Sequence, residues 1–323
     1  MNRKIYIFGA LLALLVLTAC QGGKTTAGEA EEGDTLKMEY AKLLTIVKHG
    51  EKGTASLDKD AEDAEYQYAE VNVANPWKAG TLLHRYILIP KGKEGDETVT
   101  RLALQRTSGM GCTTDTVRTP VERSAVFIAP HCQLMYELGC QQAIRGVCDL
   151  NYINISDVRK RAASAGKASS GNASAGNSIV DCGSSMAPDI ERIIALKPEA
   201  ILVSPFENSG GYGKLDKLHI PIIEAADYME SSPLGRAEWM KFYGMLFGNA
   251  SKAADGNASK AADGNASKTA DGNASKAADG NASKAVLSAS CEATADSLFA
   301  QIEKEYLKLK AEAGKLPKGL SIL

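Results

Sequence analysis

The sequence predicts an α/β protein: a Rossmann-like lobe on a parallel sheet, an N-terminal β-hairpin region before it and a long helix after it. Three observations carry this. Residues 200–203 and 222–223 are short unbroken apolar runs, the mark of strands covered on both faces of a parallel sheet. Residues 43–47 and 66–73 are β-branched, aromatic and alternating, as half-buried strands are. Residues 286–315 place Ala293, Leu298, Ile302, Tyr306 and Leu309 near one helical face, with charges on the other.

In chain order, residues 1–19 read as a signal peptide. Arg3 and Lys4 precede an apolar run, 5–17, too short for a comfortable membrane span. The following Leu17-Thr18-Ala19-Cys20 resembles the lipobox of bacterial lipoproteins. That resemblance implies lipid on Cys20 and a mature chain held on the periplasmic side of a bacterial membrane. Residues 20–40 are polar and read as a flexible tether. The formal net charge of −2 implies no nucleic-acid surface. Beyond Cys20 remain Cys112, Cys132, Cys140, Cys148, Cys182 and Cys291, and an exported chain can form disulfides. Cys132 and Cys140 lie eight residues apart across one expected helix, about 12 Å at the usual rise, too far to bond. Cys148 and Cys182 each end a strand-like run and are the expected pair.

Residues 41–115 form the expected N-terminal β region, with a polar insertion at 54–65, an Asn75-Pro76-Trp77 turn and a returning strand at 82–90. Trp77 reads as a packing residue. Residues 116–248 form the expected lobe. A strand at 125–129 leads into a Pro130-His131-Cys132 turn and a helix at 133–138, stopped by Gly139. The next strand, 143–147, opens into Asp149 and Tyr152. Residues 161–177 are rich in Ala, Ser, Gly and Asn and read as an inserted loop. Pro188 fits a helix start, with Asp189 and Glu191 in the first turn where the helix dipole favours negative charge. Ile190, Ile193 and Ile194 make one apolar face, and Lys197-Pro198 ends that helix. Between the strands at 200–203 and 222–223 lie a polar, glycine-rich loop and a short helix at 214–218. Helix resumes after Ser232-Pro233. An octamer, Asn-Ala-Ser-Lys-Ala-Ala-Asp-Gly, then recurs over 249–285. It holds no large apolar residue and reads as disordered.

Residues 189–202, Asp-Ile-Glu-Arg-Ile-Ile-Ala-Leu-Lys-Pro-Glu-Ala-Ile-Leu, resemble the substrate-binding proteins of ABC importers for iron–siderophore, haem and cobalamin. That resemblance implies two α/β lobes joined by one long helix, with the ligand between them, and partners in a permease and an ATPase. It makes residues 286–316 the connecting helix and 317–323 the start of a second lobe that is largely missing, so the isolated chain is expected to bind weakly. In open α/β sheets ligands sit beyond the carboxyl ends of the strands. The candidate ligand contacts are therefore Pro130, His131, Cys132, Asp149, Tyr152, Ser184, Met186, Phe206, Glu207, Asn208 and Tyr228, with Glu207 also a docking residue for the permease. The aromatics suit the flat faces of a metal chelate. No cofactor is implied.

Two other readings compete. His131 with Asp149, Glu207 or Cys182 could ligate bare zinc or manganese, although the four histidines share no ligand-like spacing, and His219 reads as solvated. A hydrolase would need a Gly-x-Ser-x-Gly turn, and none occurs. Nor does a phosphate-binding Gly-x-x-x-x-Gly-Lys-[Ser/Thr] loop.

Overall fold

The computed structural model describes residues 34–50, 66–92, 101, 112–165, 177–207, 212–248 and 290–315. The signal peptide, Cys20, the 54–65 insertion, Asn208 and the octamer array lie outside the described residues.

Two five-stranded sheets organise the chain. The first runs in order through β1 (Asp34–Leu36), β2 (Leu44–His49), β3 (Tyr68–Ala74), β4 (Leu82–Pro90) and β5 (Thr113–Thr119). Its pairs are antiparallel as far as β4, and β4–β5 is parallel. β5 crosses the boundary expected at 115, so this sheet claims residues assigned to the lobe. Its Thr-rich run carries little apolar signal, and only Val117 and Thr119 are buried.

The second sheet is the expected parallel one. It contains β6 (Ser124–Val126), β7 (Ile144–Val147), β8 (Val180–Asp181), β11 (Ala200–Val203) and β12 (Ile222–Glu224), in the order β12-β11-β6-β7-β8. Ala200–Val203 is buried at all four positions, as its unbroken apolar run requires. A hairpin of β9 (Gly183–Ser184) and β10 (Ala187–Pro188) follows β8. Pro188 therefore ends a strand, and Asp189 caps the next helix by accepting from the Arg192 amide at 3.1 Å.

Among the described residues six helices cover the sheets: α1 (Ala129–Glu137), α2 (Ser156–Ala165), α3 (Ile190–Leu196), α4 (Pro233–Glu238), α5 (Met240–Phe247) and α6 (Cys291–Ala313). In α3, Ile193 is buried but Ile194 is exposed, so the apolar face is narrower than the spacing suggests. α5 is buried at seven of its eight positions and sits in the core shared by both sheets. Gly244 lets α6 approach it. A Cβ there would stand 2.9 Å from Cα of Glu292 and 3.0 Å from the Cys291 carbonyl. The buried face of α6 is Cys291, Ala295 and Phe299. Ala293, Ile302 and Leu309, expected on that face, are exposed, because packing against α5 covers only the first half of the helix.

Two further expectations are corrected. Helix α2 runs through Arg161 to Ala165, inside the segment read as an inserted loop. Val158 is buried and Ala162 packs against the core, while Arg161 is anchored by three backbone carbonyls. A helix fastened by an arginine has no apolar period to reveal it. The expected tether is also ordered from Asp34 onward. β1 pairs with β2, and the amides of residues 39–43 are held by two carboxylates from the far end of the lobe. Glu238 accepts from Glu39, Tyr40 and Ala41 at 3.0, 2.8 and 2.8 Å. Glu230 accepts from Lys42 and Leu43 at 3.0 and 2.9 Å, and from the Trp239 indole at 3.1 Å.

Candidate functional site

All five strands of the second sheet are parallel, so their carboxyl ends share one rim. The loops leaving β6, β7, β8, β11 and β12 bring every described candidate to that rim or just beneath it. Four large apolar side chains stand exposed there: Tyr152 at 83%, Met186 at 79%, Phe206 at 48% and Tyr228 at 41%. They are half of the eight large apolar side chains left exposed among the described residues. A folded chain concentrates such surface where something binds.

Each position has a local cause. Tyr152 ends a 3-10 turn, Leu150–Tyr152, entered through Asp149 in the left-handed region at φ 52°. The Asp149 carboxylate accepts from the Ser185 amide at 3.2 Å, and the Asp149 amide donates to the Gly183 carbonyl at 2.7 Å. These bonds tie the loop after β7 to the β9–β10 hairpin. Ser184 accepts from the Met186 amide at 3.3 Å, which holds Met186 at the hairpin tip. Tyr228 lies in the turn after β12, and its hydroxyl donates to the Pro205 carbonyl in the loop after β11. Phe206 and Glu207 follow on that loop, both exposed.

Pro130, His131 and Cys132 were expected as an open turn. They form the first turn of α1, because Pro130 fits a helix start. Pro130 is exposed, but His131 and Cys132 are buried beneath the rim. Burial pushes the Cys132 thiol up to about 12, which leaves it inert.

His131 instead organises a polar floor. Its Nε2 lies 3.5 Å from Ser204 Oγ and 3.5 Å from Asp227 Oδ1, and its ring meets Tyr243 edge-on at 5.8 Å. Ser204 and Asp227 were not among the expected contacts. Their signal was present, since each follows a strand closely. These three residue types suggest hydrolysis, but both partners address the same nitrogen. A relay needs the carboxylate on the opposite one. His131 also does not meet Asp149, Glu207 or Cys182 in a metal-binding set. Among the described residues no group of three His, Cys, Asp or Glu is placed to hold a metal ion.

The expected Cys148–Cys182 disulfide is absent, and both are free thiols. They follow the neighbouring parallel strands β7 and β8, whose backbone spacing of about 4.8 Å would itself allow a disulfide. Their sulfurs turn to backbone carbonyls instead, Cys148 to Cys182 at 3.8 Å and Cys182 to Val180 at 3.7 Å.

A cavity of about 720 Å³ flanks the rim at its β8 end, between Asn151, Arg159, Ile179 and Asp181. A second, of about 660 Å³, separates the two sheets. There His84 of β4 bridges Glu224 at 2.9 Å and Asp115 at 3.2 Å, and the Tyr212 hydroxyl donates to Glu224 at 2.7 Å. His219, exposed as expected, closes one wall. Burial opposes the imidazolium, but the hydrogen bonds and charges of Asp115 and Glu224 outweigh it and hold the His84 pKa above its ordinary value. A raised native pKa means a stabilising contribution that is complete below the unfolded value, near 6.5, and lost as pH rises through the native value. The melting temperature of the chain is therefore expected to fall across that alkaline window. In His84→Gln the fall should be absent, and an unchanged slope in that variant would sink the assignment.

The chain matches 62% of its length to the iron uptake ABC transporter substrate-binding protein PiuA of Streptococcus pneumoniae, covering 50% of that chain with 13% identity and a TM-score of 0.33. It is similar to solute-binding proteins of iron uptake. A possible iron-binding, periplasmic solute-binding protein of Staphylococcus epidermidis matches 63% of this chain and 54% of its own, at 13% identity and a TM-score of 0.30. SirA of Staphylococcus aureus, in complex with staphyloferrin B, matches 43% and 41%, at 18% identity and 0.28. In sequence the chain is 23% identical over 236 residues to an uncharacterized lipoprotein of Methanocaldococcus jannaschii. That match takes in 69% of this chain and 49% of the relative, so the chain spans about half the length of the curated relative it matches. No protein-family profile matches the chain.

Proposed function

We propose that this protein is the substrate-binding component of an ABC importer. It is anchored by lipid on Cys20 at the outer face of a membrane, and captures a metal chelate of the siderophore, haem or cobalamin class for a permease and its ATPase. The observation that carries this reading is the rim itself. Tyr152, Met186, Phe206 and Tyr228 stand exposed at the carboxyl ends of a fully parallel sheet, over a floor of His131, Ser204 and Asp227. Flat apolar faces suit a chelate or macrocycle, and the polar floor would set its orientation. The lipoprotein relative supports the membrane address. Glu207, exposed beside Phe206, is the residue proposed to dock on the permease.

Titration of the purified chain with haem, cobalamin and ferric siderophores by calorimetry tests this. Saturable binding of one class, without turnover, is expected. Tyr152→Ser combined with Phe206→Ser should weaken it by about tenfold or more, since aromatic contacts contribute about 0.5–1.5 kcal/mol each. Binding that is unaffected by the pair of substitutions would place the ligand elsewhere.

A further inference from the structure

A further cavity, of about 470 Å³, lies at the opposite ends of the parallel strands from the rim. Arg123, Arg145 and Arg192 line it, with Ser178 and the Ala195-Leu196 end of α3. No carboxylate is among the described residues of this lining. Arg123 stands just before β6, Arg145 near the start of β7 and Ser178 just before β8, so the amino ends of three adjacent strands meet there.

Arg145 reaches the cavity through an irregularity in the sheet. Ser124 of β6 pairs with Ile144, but Ala125 pairs with Gly146, so β7 carries one extra residue at this point. That residue is Arg145. A bulge re-aims the side chain it carries. Here it turns a guanidinium into the cavity from a strand whose other three residues are buried. Arg161 adds positive charge from behind. Its guanidinium donates to the carbonyls of Ile144 and Asn177, at 2.8 Å each, which immediately precede Arg145 and Ser178. Burial, and then the charges of Arg161 and Arg123, hold the Arg145 pKa below its ordinary value.

Arg123 and Arg192 are oriented by groups outside the lining. Arg123 Nε donates to the Lys197 carbonyl at 3.0 Å, and its Nη2 lies 3.4 Å from Glu199, a carboxylate shared with Lys91. Arg192 Nη1 donates to the Asp181 carbonyl at 2.7 Å, and its Nε lies 3.0 Å from Asp189. Nη1 of Arg123 and Nη2 of Arg192 take no part in these contacts. A space lined by charge of one sign concentrates counter-ions.

We propose that this cavity binds a phosphate group, held jointly by Arg123, Arg145 and Arg192. One guanidinium is enough to pair both oxygens of a carboxylate. Three around one space match the higher charge and the additional oxygens of a phosphate. The Ser178 hydroxyl supplies one more donor. A soluble phosphate and a phospholipid headgroup share this chemistry. The site lies away from the rim, so it stands independently of the ligand proposed there.

The full chain carrying Cys20→Ser, to which no acyl chain is attached, is titrated with inorganic phosphate and with pyrophosphate by calorimetry. It is also mixed with vesicles of phosphatidylglycerol, or of phosphatidylcholine, whose phosphate is screened by choline. Saturable binding in at least one arm is expected. Binding of the soluble ions alone assigns a soluble phosphate; retention on phosphatidylglycerol beyond phosphatidylcholine assigns a headgroup. Arg145→Gln and Arg192→Gln should each weaken the interaction by about tenfold, the scale of one lost charge-assisted hydrogen bond. Arg192 is exposed on α3, so its variant still decides the matter should Arg145→Gln fail to fold. No binding in either arm would overturn the proposal. So would binding that both glutamine variants leave unchanged, or that Arg145→Lys keeps in full, since diffuse positive charge would then suffice.

Discussion

Glu238→Ala is expected to remove about 3–5 kcal/mol of folding stability, the cost of taking one partner out of a buried charged cluster. The carboxylate is buried and accepts three consecutive amides, from Glu39, Tyr40 and Ala41, as well as the Lys241 ammonium at 3.1 Å. Alanine removes the acceptor from all of those donors, and the Ala41 amide, which is buried, is then orphaned at about 1–3 kcal/mol. The segment they belong to also brings Tyr40 onto α6, where its hydroxyl donates to Glu303 at 2.6 Å. Its release should therefore loosen α6 as well. A whole domain has only about 5–15 kcal/mol in reserve, so the variant should unfold at a much lower urea midpoint. A loss below about 1 kcal/mol would mean that the clasp follows the fold without supporting it.

The same group predicts acid sensitivity. Burial opposes its charge, but the three amides and Lys241 outweigh burial and hold its pKa below the ordinary carboxylate value. A lowered native pKa means a contribution present above the unfolded value, 4.5, and lost as pH falls through the native one. The wild type should lose stability on acidification through that window, and Glu238→Ala should show a shallower loss.

Arg161→Leu is the second large effect, expected at about 3 kcal/mol. The guanidinium donates to the carbonyls of Asn177, Gln141 and Ile144 at 2.8, 2.9 and 2.8 Å, and lies 3.8 Å from Asp157. Leucine fills the volume but orphans three acceptors that tie α2, β7 and the approach to β8 together. Arg161→Lys should recover little, because a point charge on a flexible stem cannot span three carbonyls. Hydrogen exchange should report lost protection at residues 141–144 and 177–180. Full recovery by lysine would show that charge alone is at work.

Local pattern alone specified the parallel sheet, the rim and its exposed aromatics. An unbroken apolar run such as 200–203 can be satisfied only between two covering layers. Once the strands are parallel, Tyr152, Phe206 and Tyr228 must share an edge, because each follows a strand. Ser204 and Asp227 follow strands in the same way but were not among the expected contacts, because no residue type in those loops announced His131 as their common partner. What tertiary structure alone decided lies in contacts between residues distant in sequence. The carboxylates of Glu230 and Glu238 turn a polar leader into an ordered edge, and Arg161 makes a helix of a segment without apolar period. Packing on α5 selects Cys291, Ala295 and Phe299 as the buried face of α6. In each case a buried polar or small group is stabilised by a partner that folding alone brings near, and no window along the chain contains both.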